Sequence, residues 1–138
     1  MADFIKPKSS VSANPGPTDF LGAFAVSIHG IEPHIKRFEK DLDDYSKIIL
    51  QALADRLAEA FDECLHDRIR KELWGYATDE HLTTKELVAA RYLGMRHAPG
   101  YPACHAHTEK YTLCECLNDN EEAGITLNES WTMNTAYS

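Results

Sequence analysis

The sequence predicts an α+β domain in which long helices lie on a twisted antiparallel sheet. Three observations carry that expectation. Residues 33–73 place apolar side chains at three- and four-residue steps, the period of amphipathic helices. Residues 20–28 form a short apolar run bounded by turn residues, apolar on both parities as a two-sided strand would be. Residues 125–131 alternate in polarity, the period of a strand with one buried face. The two strand candidates are expected in one antiparallel sheet with the helix 44–73 packed across it, because amphipathic helices gain most of their stability from packing.

The elements follow in order. Residues 1–19 are polar and interrupted by Pro7, Pro15 and Pro17, so they read as a tether with little to bury. The folded region is 20–138, and 1–138 is read as a single domain. Gly22 inside the first strand candidate marks a bulge or a close approach. His29-Gly30-Ile31-Glu32-Pro33 is a turn whose proline is placed to open a helix. A short helix over 33–42 presents Ile35, Phe38 and Leu42. The run Asp41-Leu42-Asp43-Asp44 breaks it, since short acidic side chains suit an N-cap better than a helix interior.

The next helix, 44–73, is expected to be about 45 Å long at ~1.5 Å per residue. Its apolar stripe is Ile49, Leu53, Leu57, Ala60 or Phe61, Cys64 or Leu65, Ile69 and Leu73, and Gly75 is its natural stop. Another face carries Asp55, Glu59, Asp62 or Glu63, and His66. Carboxylates four residues apart repel unless a cation lies nearby, and Arg56 and Arg70 offset part of that repulsion. Such a face either meets water or meets a cation or partner. Thr83-Thr84-Lys85-Glu86 is a capping box that opens a helix running to about Tyr92. A further helix runs from near Thr108 to near Asn118, residues 119–124 lead out of it, and residues 134–138 carry no pattern.

Composition bounds the function classes. Hydrophobic residues make up 43% and charged residues 26%, which is ordinary for a globular domain. No run approaches the ~20 apolar residues of a membrane span. A net charge of -8 disfavours nucleic-acid binding, which needs a concentrated basic face. The N-terminus lacks the apolar core of a secretion signal, and the four cysteines have no disulfide framework spacing, so the chain is expected in the cytoplasm. There is no phosphate-binding glycine loop and no Gly-x-Ser-x-Gly elbow.

The stretch 95–107 concentrates the site-forming chemistry. It holds Arg96, Tyr101, Cys104 and histidines at 97, 105 and 107 around Pro99-Gly100-Tyr101-Pro102. Two prolines and a glycine exclude helix and central strand and leave a rigid loop. Such a loop either connects two helices or holds carbonyls, a guanidinium and a phenol for a small polar ligand. Cys104, His105, His107, Cys114 and Cys116 resemble a zinc cluster at first sight. However, Cys114 and Cys116 point about 200° apart on a helix of ~3.6 residues per turn, and structural zinc sites favour wider cysteine pairs. No metal site is expected there.

Several runs resemble one family. They are Asp43-Asp44-Tyr45, the stretch from Ala52 to Phe61, that from Leu65 to Tyr76, Ala98-Pro99-Gly100-Tyr101-Pro102-Ala103-Cys104 and His107-Thr108-Glu109-Lys110. Ala2-Asp3-Phe4-Ile5, the stretch from Asp19 to Val26, and Thr126-Leu127-Asn128-Glu129-Ser130 extend the match in one register. Together they resemble the C-terminal activation domain of cobalamin-dependent methionine synthase. The resemblance implies a domain that binds S-adenosylmethionine, caps the cobalamin-binding domain and supports reductive methylation of inactive cob(II)alamin. The cobalamin is held by that partner domain, and flavodoxin or a flavoprotein reductase supplies the electron.

Carried onto this chain, the resemblance gives Arg96 to the ligand carboxylate, where a guanidinium can pair bidentately. It gives backbone contacts to Ala98 and Gly100, and the ligand ammonium to Glu59. Tyr101 would lie between ligand and corrin, and Asp55, Glu59 and Tyr101 would face the cobalamin domain. The pattern is not complete. His97 stands where the family has proline, and Cys114 and Cys116 stand where larger apolar residues are usual. Family members carry more sequence before the region matching Ala2 and beyond that matching Ser130, including further ligand contacts, so the fold is expected to be the central part of the domain. No catalytic residue is assigned to the chain. The competing reading is a non-enzymatic remnant or interaction domain that keeps the fold without binding S-adenosylmethionine.

Overall fold

In the computed structural model, residues 19–102, 104–129 and 133–134 are described. The expected tether therefore lies almost wholly outside the described residues, as do residues 130–131 of the second strand candidate. The described chain is mainly helical: α1 Glu32–Lys40, α2 Asp44–Arg68, a π-helical turn Ile69–Leu73, α3 Thr84–Val88, α4 Glu109–Leu117 and α5 Asp119–Ala123.

The break between α1 and α2 falls where the acidic run predicts it. Leu42 takes a left-handed φ of 55°, and Asp43 caps α2 by accepting the Ser46 N–H at 3.0 Å. That bond holds the Asp43 carboxyl below its ordinary range. The break turns α1 back onto α2, burying Ile35 and Ala54, and Lys47 on α2 bonds Glu39 on α1 at 2.6 Å. α2 runs on through the π turn, where the Trp74 N–H donates to the Ile69 carbonyl, and Gly75 ends it at a φ of +71°.

Two expectations about α2 and the sheet are corrected. The stripe expected in the core is exposed: Ile49, Leu53, Leu57, Phe61 and Leu73 all face out, Leu57 with 60% of its surface. The buried positions of α2 and the π turn are instead Ala54, His66 and Arg70. Periodicity shows that a helix is two-faced. It does not show which neighbour is present to cover either face.

Residues 20–28 form no helix and join no ladder among the described residues. Their apolar composition marks contact with the helices rather than strand pairing. A side chain at Gly22 would meet the Trp74 ring at 2.8 Å, so this glycine is a close approach. The Ser27 hydroxyl and the His29 ring both reach the Ala123 carbonyl, at 3.1 and 2.8 Å. The observed sheet is a hairpin, β1 Thr126–Leu127 with β2 Met133–Asn134, pairing Thr126 with Asn134 and Leu127 with Met133. Residues 125–131 therefore do begin a strand, but its partner follows it in sequence.

Two boundaries also move. The capping box at Thr83 and Glu86 is formed, yet α3 ends at Val88 rather than near Tyr92. Ala90 adopts a left-handed φ of 51°, which turns the chain so that Tyr92 points back to α2. Residues 119–123, expected as an exit loop, form α5 directly after the left-handed cap at Asn118.

Candidate functional site

The loop at 95–104 is built from two consecutive tight turns. The Tyr101 N–H donates to the Ala98 carbonyl at 3.3 Å across Pro99-Gly100, and the Cys104 N–H donates to the Tyr101 carbonyl at 2.8 Å. Gly100, at a φ of +100°, supplies the conformation that a proline–glycine turn of this kind needs at its third residue. Its N–H donates to the Cys104 carbonyl at 2.7 Å, locking the two turns together. A β-carbon at Gly100 would collide with the His107 ring, so space as well as φ demands glycine. Cys104 is buried beneath the loop, while Ala98, Gly100 and Tyr101 are exposed, Tyr101 with 66% of its surface.

Arg96 docks this loop on α2. Its guanidinium bonds two carboxylates, Asp62 through Nη1 and Glu63 through Nη2, and partial burial lowers its pKa. The acidic face of α2 thus does meet a cation, and the cation comes from the chain itself. Glu59 lies one turn earlier, is exposed, and pairs with Arg56 at 2.8 Å. Asp55 lies one turn earlier again, half-buried. The structure thus places Arg96 on the helix face that carries Glu59 and Asp55 but joins its guanidinium to neither.

A second cluster, one turn beyond Glu63, was not legible as a unit. Arg70 is fully buried. Its Nε and Nη2 donate to the same Glu80 oxygen at 2.9 and 2.7 Å, Nη2 also to Asp67 at 3.1 Å, and Nη1 bonds His66 Nδ1 at 2.8 Å. The Tyr92 ring covers the guanidinium at 4.5 Å and meets the His66 ring edge-on at 4.7 Å, and the Phe24 ring stacks on His66 at 6.4 Å. The Leu93 N–H donates to the free Glu80 oxygen at 3.0 Å. These bonds clamp the segment 76–93 to α2 and so set the position of Arg96 three residues on.

The cluster fixes its own protonation states. Burial pushes the His66 imidazole below its ordinary pKa, and the Arg70 charge adds to that. Burial alone would raise the Glu80 carboxyl, but bonds from Arg70 and the Leu93 N–H hold it below its usual range. Burial raises the Tyr92 phenol, and the nearby Glu63 carboxylate raises it further. Sequence spacing contains the His66–Arg70 and Asp67–Arg70 pairs at helical steps. It carries no signal for Glu80 or Tyr92, which arrive across a turn.

Among the clefts formed by the described residues, one of about 530 Å³ lies between Tyr76, Glu80, Arg91 and Tyr92, and another of about 370 Å³ lies between α1 and α2 at Phe38, Tyr45 and Leu50. Neither includes Arg96, Gly100 or Tyr101. Among the described residues no group of histidines, cysteines and carboxylates is arranged to hold a metal ion, and the four cysteines are free thiols. No helix among them is long and apolar enough to cross a membrane.

Two comparisons place this arrangement among known proteins. The crystal structure of the MetH reactivation domain bound to AdoHcy superposes with a TM-score of 0.72 at 50% sequence identity, over 76% of this chain and 32% of that one. The chain therefore spans about a third of the length of that solved structure. At such identity the shared architecture reflects common descent. A family model described as vitamin B12 dependent methionine synthase, activation domain, matches residues 1–138, and the chain belongs to that family.

Proposed function

We propose that this chain is part of the S-adenosylmethionine-binding activation domain of a cobalamin-dependent methionine synthase, acting in methionine biosynthesis in the cytoplasm. In this reading it supports reductive methylation of inactive cob(II)alamin and does not itself catalyse methyl transfer. Arg96 receives the ligand carboxylate, Ala98 and Gly100 offer backbone groups, and Glu59 receives the ammonium. Tyr101, exposed at the tip of the double turn, lies between ligand and corrin, and Asp55 and Glu59 face the cobalamin-binding domain. Cobalamin stays with that partner domain, and flavodoxin or a flavoprotein reductase delivers the electron. Nucleic acid, membrane and a bound metal have no part in it.

One observation carries the reading: a rigid Pro-Gly double turn delivers Arg96 to the acidic face of α2 in a chain half identical to a domain solved with AdoHcy. The exposed apolar stripe of α2 supports the finer fold as well. A twisted antiparallel sheet belonging to the longer domain would cover Leu53, Leu57 and Phe61, as amphipathic helices require.

The competing reading, a domain that keeps the fold without the ligand, is favoured by one observation: Asp62 and Glu63 already occupy the Arg96 guanidinium. Calorimetry separates the two. An exposed charge pair contributes ~0–1 kcal/mol, while a micromolar complex needs about -8 kcal/mol. Arg96 lines neither of those two clefts. The 138-residue chain is therefore expected to bind S-adenosylmethionine at least about tenfold more weakly than a full-length activation domain containing it. Arg96→Ala should abolish binding in the longer protein. Unchanged affinity on Arg96→Ala would remove the loop from the site and leave the competing reading.

A further inference from the structure

We propose that His66 is a proton-sensitive latch that keeps the segment 76–96, and with it the Arg96 loop, seated on α2. The proposal builds on the reading of that loop as the ligand site, but the latch itself is a property of the His66 cluster.

The geometry makes His66 an acceptor. All nitrogens of Arg70 are donors, so the 2.8 Å contact between Arg70 Nη1 and His66 Nδ1 requires a lone pair on Nδ1. The neutral imidazole must then carry its hydrogen on Nε2. A proton on Nδ1 destroys that bond and sets an imidazolium against a buried guanidinium. Every element packed on His66 bears on this balance. Its own helix brings Arg70, Asp67, Lys71 and, one turn back, Asp62 and Glu63. The segment 76–93 brings Glu80 and Tyr92, and the N-terminal segment brings only the uncharged Phe24 ring.

The imidazolium is thus repelled by Arg70 and has carboxylates within helical reach at Asp62 (four residues back) and Glu63 (three residues back), the two groups that hold Arg96. Protonation weakens both fastenings of the segment at once. It removes one bond from Arg70, whose other bonds grip Glu80, and it competes for the partners of Arg96. His66 is 4% exposed, so the latched state leaves little room for water to solvate the extra charge.

The direction follows. His66 has a lower pKa in the latched state than when released, so the released state binds the proton more readily. The latch is at full strength above about pH 6.5, the ordinary imidazole value, and weakens as pH falls from there toward the lower value of the latched state. One proton allows the released population to rise by up to about tenfold per pH unit in that window.

Amide hydrogen exchange on the full chain, corrected for the intrinsic pH dependence, reads this directly. The Leu93 amide, bonded to Glu80, reports the latch, and the Ile35 amide in α1 is the control. Leu93 protection should fall by up to about tenfold per pH unit below pH 6.5, while Ile35 protection stays level. His66→Gln keeps an acceptor oxygen but cannot titrate, so its Leu93 protection should be flat with pH. An equal pH dependence in His66→Gln, or none in the unmodified chain, overturns the proposal. If the variant does not fold, ¹⁵N chemical shifts of the unmodified chain decide. Neutral His66 with its hydrogen on Nδ1, or an imidazole that titrates at or above pH 6.5, also overturns it. None of these readouts involves a ligand, so failure of S-adenosylmethionine binding refutes the proposed function without touching the latch.

Discussion

Arg70→Met isolates what the buried guanidinium contributes. Methionine keeps most of the apolar stem, so little cavity is added, and the loss is of charge pairing. Arg70 is fully buried and the Glu80 side chain is 10% exposed, so this pair is not screened as a surface pair would be. The substitution removes two bonds to Glu80, one to Asp67 and one to His66, and leaves Glu80 with the Leu93 N–H. Stranding one partner of a buried pair costs about 3–5 kcal/mol. A domain of this size has a total stability of about 5–15 kcal/mol, so the variant should be folded but conspicuously weakened.

The effect should also depend on pH with a defined sign. Glu80 has a folded pKa below its unfolded one. Its contribution is therefore complete above the ordinary carboxylate range, about pH 4.3, and is lost as pH falls through the lower folded value. Urea unfolding at pH 7 and again at pH 3.5 tests both points. The gap between the unmodified chain and Arg70→Met should be largest at pH 7 and should narrow in acid. A gap under 1 kcal/mol at pH 7, or one that does not change with pH, would refute the reasoning.

Two further outcomes are expected. Leu57→Ala should lower the stability of the 138-residue chain by only about 0.5 kcal/mol or less, because Leu57 is exposed; if the proposed sheet covers α2 in a longer activation domain, the same change should cost about 2–5 kcal/mol there, and equal effects by denaturant unfolding in the two proteins would count against that sheet. Gly100→Ala should lower the melting temperature by the equivalent of about 1–3 kcal/mol, from the left-handed φ and the clash with His107; an unchanged melting temperature would show that the double turn is not held as described.

Several features were legible because they rest on local rules. Asp43 as an N-cap, the capping box at Thr83 and Glu86, the stop at Gly75, and the Pro99-Gly100 turn each depend on residues within four positions of one another. The family resemblance is legible for a related reason, since it rests on runs of residues adjacent in the sequence. The loop carrying Arg96, Gly100 and Tyr101 and the acidic stripe of α2 were likewise readable as candidates.

What only the tertiary structure decided is which surfaces meet. Leu53, Leu57 and Phe61 have the period of a core stripe yet face outward, while the α2 face carrying His66 and Arg70 is buried. Arg96 finds Glu63 across 33 residues of chain and Asp62 beside it, Glu80 reaches Arg70 from beyond the end of α2, and Tyr92 closes on Arg70 after the left-handed turn at Ala90. Residues 20–28 look like a strand and pair with none among those described. Sequence period reports the shape of one element and the polarity of its faces. Contact between elements depends on which neighbours are present to bury a face, and that information is distributed over the whole fold.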